Sequence, residues 1–349
     1  MNHYFIILKN EKDNSHLEWK NACLEFEVDY SIVDITQTDW YIRISSHKHV
    51  SCILHRSSGE ISRFKNLFDE RLYILSEILN YMVYPSFKES YIYENKKLLS
   101  YYLKSKCIPH PETCIFYYKN EALLSLADIN FPIVAKMSIG ASGAGVEILK
   151  NKSDARNYII KAFSKKGLRR KFGPNRKTGN IKTWTKKSIF NISFLLKKIR
   201  YYIQVYSDNQ KDFVIFQEYI PHDFEWRVVK IGKSYFAHKK IKMGEMCSGT
   251  KGINYVNPPF KILDFVKNIC EKENFDSMAI DIFENERGDY IVNELQTIFG
   301  HVQKFLLMVD DKIGRYINID NKWEFEEGDF NRNLSFNLRL ESVIEFLEK

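Results

Sequence analysis

The strongest chemical signal in this 349-residue chain is the stretch "AIDIFENERGDYIVNELQ" (279–296). Asp281 lies among apolar residues, where an unpaired carboxylate would be costly to bury. Glu294 and Gln296 are two apart, so in a strand they point to one face. A turn centred near Glu286–Arg287 makes the stretch a hairpin, with Asp281 opposite Val292 and Glu294 its diagonal neighbour, the Cβ atoms roughly 7–8 Å apart. That gap is too wide for a carboxyl–carboxyl hydrogen bond and suits one or two cations. Oxygen-only ligands suit Mg²⁺, which typically shares such sites with nucleotide phosphates. The alternative is a pair of surface carboxylates on an edge hairpin, which the apolar flanks disfavour. A second signal is "VAKMSIGASGAGVEIL" (134–149), where Lys136 ends a strand-like run before a loop holding Gly140, Ser142, Gly143 and Gly145. Two readings stand: a hairpin whose glycines supply positive φ, or a loop whose amides approach a phosphate closely while Lys136 supplies charge.

These residues need elements to hold them. "YFIILKN" (4–10), "YSIVDI" (30–35) and "VSCILHR" (50–56) read as strands, and "SHLEWKNACLEF" (15–26) as a helix with Ser15 as N-cap. This alternation predicts a small α/β lobe up to about residue 90. "ENKKLLSYYLKSKC" (94–107) has helical spacing and must stop before Pro109 and Pro111. After strand "FPIVAKM" and the glycine loop, Ser153 is the expected N-cap of a helix through "DARNYIIKAF". "DFVIFQEYI" (212–220) reads as a strand, "EWRVVKIGKSYFAHKKIKM" (225–243) as a hairpin turning at "IGKS", and "PFKILDFVKNICEKEN" (259–274) as a helix.

Composition narrows the class. The net charge of +8 is uneven: residues 161–207 carry 14 Lys and Arg with no Asp or Glu, and without them the remainder stands at −6. Such a block attracts nucleic acid, an anionic lipid surface or an acidic substrate, unless it is only a solvated face. Six scattered cysteines without a C-x-x-C pair argue against a zinc or disulfide scaffold and for a reducing compartment. No run reaches the roughly 18 apolar residues that span a bilayer, and no leader pattern opens the chain. The expected location is cytoplasmic, peripheral at the inner face of a membrane if the basic block meets lipid.

In their order along the chain these segments resemble the ATP-grasp superfamily, close to its glutathione-synthetase-like and RimK-type carboxylate–amine ligases, over about residues 85–300. "ENKKLLSYYLKSKCIPHPET" resembles the segment bearing the first phosphate lysine, here Lys96, with Asn95 in place of the usual Asp and Cys107 in place of the usual Gly. Lys136 and its loop resemble the second lysine and the flexible phosphate loop. "FQEYI" resembles the hinge that receives adenine, with Gln217, Glu218, Tyr219 and Ile220 as contacts. "DFEWRVV" matches a segment whose acid, Glu225, faces ribose and whose Arg227 faces the reacting phosphate or acyl group. Asp281, Glu294 and Gln296 match the family's metal ligands, with Gln in place of the usual Asn.

The resemblance implies an α/β fold with α+β lobes: an N-terminal α/β lobe (1–90), a linker helix and lid domain with the basic insertion (91–220), and a C-terminal antiparallel-sheet lobe with the metal site and tail (221–349). It implies ATP and one or two Mg²⁺ ions, with Mn²⁺ admissible. The implied reaction is phosphorylation of a carboxylate to an acylphosphate, attacked by an amine to give an amide, ADP and phosphate. Lys240 and Lys242, on one face of their strand, could hold the carboxylate, or could form an exposed basic strand. The basic block points to an anionic acceptor such as an acidic glycan, sugar or lipid-linked intermediate, or to an anionic membrane surface. Nucleic acid is disfavoured as a partner. The alternative activity on the same fold is a phosphotransferase acting on a small molecule or sugar.

Overall fold

The computed structural model describes residues 3–12, 14–140, 143, 145–170, 192–244, 246–247, 252–298 and 304–349. Ser142 and the centre of the basic block, 171–191, lie outside the described residues.

Three sheets follow one another along the chain. The first is parallel, in the order β2-β1-β3-β4, from β1 (Tyr4–Lys9), β2 (Asp29–Asp34), β3 (Cys52–Leu54) and β4 (Val83–Tyr84). Its central strand reads "YFIILK", with Phe5, Ile6, Ile7 and Leu8 all fully buried, because helices cover both faces. Helix α1 (Leu17–Glu25) lies on one face. The capping expected of Ser15 is not made: α1 starts after His16, and the Ser15 hydroxyl instead accepts from the Asn10 amide at 2.9 Å. On the other face lie α2 (Trp40–Ser45) and α3 (Ser62–Tyr73). Helix α4 (Phe87–Ile92) follows, and its buried Glu89 accepts from the Asp276 and Ser277 amides at 3.0 Å each, fixing the start of the strand that carries Asp281.

Helix α5 (Lys96–Ser105) is capped by the Asn95 side chain, which accepts from Leu98 N–H at 3.2 Å. It ends in a motif that favours glycine. Ile108 N–H reaches the Leu103 carbonyl at 3.0 Å and Cys107 N–H reaches Lys104 at 3.2 Å, with Cys107 at φ 53°. The residue standing where the family has Gly thus adopts the left-handed conformation that Gly adopts freely.

The second sheet, β5-β8-β6-β7, is antiparallel and built from β5 (Thr113–Phe116), β6 (Ile133–Lys136), β7 (Val146–Leu149) and β8 (Val214–Glu218). Helices α6 (Lys119–Ser125) and α7 (Lys152–Ala162) pack on one face of it. The cap of α7 is Asn151, accepting from Asp154 N–H at 3.0 Å, and not Ser153, because the helix begins two residues earlier than expected. Helix α8 (Ile192–Ser207) returns the chain to β8.

The third sheet is antiparallel and carries the largest core. Its main path is β14-β13-β9-β10-β16-β15. The strands are β9 (Phe224–Ile231), β10 (Ser234–Met243), β13 (Ser277–Glu284), β14 (Tyr290–Gln296), β15 (Met308–Val309) and β16 (Lys312–Ile319), with β11 (Met246–Cys247) and β12 (Ile253–Asn254) beside β10 and β17 (Lys322–Glu327) beside β16. Helix α9 (Phe260–Glu273) packs on it and ends at left-handed Asn274. The last helix, α10 (Phe336–Leu347), turns back to the first sheet, where Phe336 meets Trp19 edge-on at 4.8 Å.

Candidate active site

The β13–β14 hairpin is present, but its register corrects the expected pairing. The turn is a longer loop in which the Asn285 side chain accepts from Arg287 and Asp289 N–H groups at 2.9 and 2.8 Å, with Gly288 at φ 74°. Ile282 pairs with Val292, yet Asp281 pairs directly with Glu294, leaving Asn293 as an extra residue. Such a bulge re-aims side chains. Asp281 and Glu294 are therefore direct neighbours and not diagonal ones. Asn293, which alternation would send to the opposite face from Glu294, instead reaches the same cluster.

That cluster is a continuous polar chain. Asp281, 2% exposed, accepts from Arg227 Nε and Nη2 at 2.8 Å each and from Lys240 Nζ at 2.8 Å. Burial alone would push its carboxyl up, but the two cations outweigh it and hold it far below the usual range. Arg227 and Lys240 are shifted the other way: burial opposes their charge, and Asp281 more than restores it. These contacts follow from register, since β9 lies between its partners with Arg227 opposite Asp281 on one side and Glu225 opposite Lys240 on the other. Lys240 also donates to Glu225 at 2.5 Å, and Asn293 donates to the same carboxylate at 3.2 Å. Gln296 accepts from Arg227 at 3.1 Å and donates to Glu294 at 2.9 Å, so the longer amide bridges the two groups.

The two lysines expected at phosphates meet this cluster from other elements. Lys96, at the start of α5, donates to the Gly140 carbonyl at 2.6 Å and to Glu94, and lies 3.5 Å from Glu294. Burial pushes the Glu94 carboxyl up to about 7 despite Lys96 beside it, with Glu294 adding to the rise. Lys136, at the end of β6, donates to Asn293 Oδ1 at 3.2 Å. Burial pushes it down to about 8, against the pull of Glu294 and with the help of Lys96. The glycine loop starts against these groups. A Cβ on Gly145 would stand 2.7 Å from that of Met137, so the loop closes tightly there.

The hinge residues flank a small cleft lined by Lys96, Leu103, Lys136, Ile215, Gln217 and Asn293, among others. Gln217 donates to Thr113 at 3.1 Å, and Glu218 accepts from Glu112 N–H at 3.3 Å. Tyr219 and Ile220 are half-buried beyond them. Lys242 does not join Lys240: it donates to the Tyr219 hydroxyl and the His222 carbonyl, both at 3.2 Å. Glu94 and Asn293 are the members that sequence reasoning passed over, although both stand inside quoted motifs, Glu94 two residues before Lys96 and Asn293 beside Glu294. The exposed cations Lys165, Lys166 and Arg169 are set apart from this cleft's polar chain, whereas Arg170 is not a free cation at all. It is 3% exposed, paired with Asp208 and donating to the Glu60 carbonyl.

Oxygen donors from Asp281, Glu294 and Gln296 fit a hard divalent cation. Asp281 uses three of its roughly four acceptor positions in the contacts above, and Glu294 faces Lys96 and the Gln296 amide.

No protein-family model matches the chain. No curated protein sequence matches it. Solved structures do. D-alanine–D-alanine ligase from Bacillus anthracis aligns with a TM-score of 0.55 at 14% identity, covering 99% of this chain and 97% of that one. The RimK domain ATP-grasp protein from Sphaerobacter thermophilus DSM 20745 gives 0.53 at 13%, over 84% and 90%. The ATP-grasp ligase PsnB, complexed with minimal precursor, Mg and ADP, gives 0.51 at 12%, over 99% and 98%. With a parallel sheet followed by two antiparallel sheets that both contribute to one charged cleft, and these neighbours over most of its length, the chain has the ATP-grasp fold.

Proposed function

We propose that the protein is an ATP- and Mg²⁺-dependent carboxylate–amine ligase of the ADP-forming type. The observation that carries the reading is the single polar chain joining Lys96, Lys136, Arg227, Lys240, Asp281, Glu294 and Gln296 from separate segments around one cleft. The ligases among the structural neighbours support it. We take the lobes to divide near residues 90 and 220, with adenine entering beside Gln217–Ile220 and ribose meeting Glu225.

In this reading Lys96 and Lys136 hold the phosphates under the glycine loop, where Ser142, Gly143 and Gly145 stand. Asp281, Glu294 and Gln296 would hold Mg²⁺, which neutralises phosphate charge when bound. Arg227 and Lys240 orient the acyl carboxylate and stabilise charge as the γ-phosphoryl moves to it, a step that depends mainly on positioning and electrostatics. Lys242 contacts the hinge through the Tyr219 hydroxyl. The acceptor is anionic, drawn by the exposed cations of 161–207. A metabolite pool incubated with and without ATP and resolved by mass spectrometry tests this. ADP and free phosphate formed only with both an acid and an amine supports a ligase; phosphate retained on one acceptor would replace it with a kinase.

A further inference from the structure

Beside the oxygen-donor cluster lies a second group of ligand type. His222, Glu225 and Cys247 each offer a ligand atom, and the three atoms all lie within 4.8 Å of one another. They arrive from three positions: the residues just before β9, β9 itself, and β11, which pairs Cys247 with Lys242. We propose that His222, Glu225 and Cys247 form a binding site for a borderline-soft divalent cation of the Zn²⁺ class beside the polar chain.

The donor set decides the metal. Imidazole nitrogen, thiolate sulfur and carboxylate oxygen together suit Zn²⁺, whereas Mg²⁺ selects oxygen alone. The two neighbouring clusters are thus chemically orthogonal. A separate observation concerns the histidine. Its Nδ1 lies 2.7 Å from the Ile220 carbonyl. A carbonyl oxygen only accepts, so Nδ1 carries the proton and the ring's lone pair sits on Nε2. A backbone carbonyl on the far ring nitrogen is the arrangement that orients metal-binding histidines. The Phe283 ring, tilted by 41° with its centroid 4.6 Å away, packs against it further.

Two ammonium groups, Lys240 and Lys242, flank the site, and the carboxylate keeps acceptor capacity beside them. Glu225 accepts from Lys240 on one oxygen and from Asn293 on the other, leaving lone pairs on both. An ordinary thiol carries its proton at neutral pH. Binding therefore replaces S–H by S–Zn and releases one proton to solvent. With three protein ligands the fourth position stays open to water.

One consequence rests on the proposed ribose contact of Glu225: a cation held there competes with nucleotide. Co²⁺, which shares this ligand chemistry and reports thiolate ligation by a charge-transfer band in the near ultraviolet, tests the site without any activity. The wild-type protein should bind Co²⁺ with that band, displaceable by Zn²⁺. Cys247→Ser should lose the band, and His222→Gln should weaken Co²⁺ at least about tenfold while keeping it. Unchanged thermal unfolding of the metal-free variants excludes a folding defect. A band equal in wild type and Cys247→Ser, arising from the exposed Cys107 or Cys114, overturns the site, as does no band at all. Zn²⁺ should also raise the Kd for Mg·ATP in wild type but not in Cys247→Ser. Equal Kd values with and without Zn²⁺ in wild type overturn the competition. Absence of any ATP binding would overturn the ligase reading and leave the Co²⁺ result standing.

Discussion

Nucleotide affinity should fall as pH rises, through one lysine. Lys136 has its ammonium pushed down to about 8 by burial, from an ordinary value of 10.5. If only the ammonium holds phosphate, the Kd for ATP scales with the inverse of its protonated fraction, so affinity drops about tenfold between pH 7 and pH 9. Lys136→Arg keeps a charge that does not titrate in this range and should remove the slope. Lys136→Met should bind weakly at both pH values. Stability of the nucleotide-free protein should move the other way. A lysine whose folded pKa lies below its unfolded one destabilises the fold fully below about pH 8, and that cost fades as pH rises towards 10.5. Wild type should therefore gain stability relative to Lys136→Met over the same window in which it loses ATP. Calorimetry with a non-hydrolysable ATP analogue and Mg²⁺, paired with denaturant unfolding at each pH, measures both. A flat wild-type Kd from pH 7 to 9, or the same slope in Lys136→Met, refutes the reasoning.

Three further outcomes follow from the same contacts. Asp281→Asn and Glu294→Gln should both abolish ADP release. Asp281→Asn should also cost about 3 kcal/mol in a denaturant melt, because Arg227 and Lys240 stay buried without their shared carboxylate; half-exposed Glu294 should cost under about 1 kcal/mol. Cys107→Gly should stabilise the protein by about 0.5–1 kcal/mol, since Gly adopts the left-handed conformation without strain while loosening the unfolded chain, and an unchanged melting midpoint would count against strain at that site. Replacing exposed Lys165, Lys166 and Arg169 by Glu should raise the KM for an anionic acceptor and flatten its salt dependence while leaving the Kd for ATP unchanged, whereas Arg170→Glu should destabilise the fold through the loss of Asp208 pairing.

What could be read from sequence depended on whether local pattern or tertiary pairing decides the outcome. Strand and helix identity followed from alternation and breakers: "YFIILK" is buried on both faces, and α5 stops before Pro109 as it must. The ordered motifs named Lys96, Lys136, Arg227 and Asp281, which the fold brings to one cleft. The pairing of Asp281 with Glu294 was not legible, because one extra residue at Asn293 shifts the register and nothing in "IVNELQ" marks a bulge. Two helix caps were misplaced by one or two residues for a similar reason: the Ser15 hydroxyl is used by the Asn10 amide, and Asn151 stands two residues before Ser153. Arg170 looked like one more cation in a basic run, and only packing against Asp208 and Glu60 separates it from its exposed neighbours.

A buried ion-pair network can be purely structural, so the distribution of its charges matters. Four acids (Glu94, Glu225, Asp281 and Glu294) face four bases (Lys96, Lys136, Arg227 and Lys240). A network serving only stability would pair every ion, because an uncompensated buried charge is strongly destabilising. Here the pairing is uneven. Asp281 holds two cations, Lys240 holds two acids, and Glu94 sits so deep that its carboxyl rises to about 7. Lys136 receives only the neutral Asn293 oxygen as a hydrogen-bond partner among the described residues, and its charge is disfavoured accordingly. It is the base nearest the glycine loop along the chain, followed within ten residues by Gly140, Gly143 and Gly145. A fold under selection for stability alone would lose nothing by replacing such a lysine with an apolar side chain. In the proposed reading an incoming phosphate would supply the counter-charge that Lys136 lacks, raising its pKa and releasing the free energy that burial withholds. The poorly paired base beside the glycine loop is therefore the feature that supports the proposed phosphate site over a purely structural salt-bridge network.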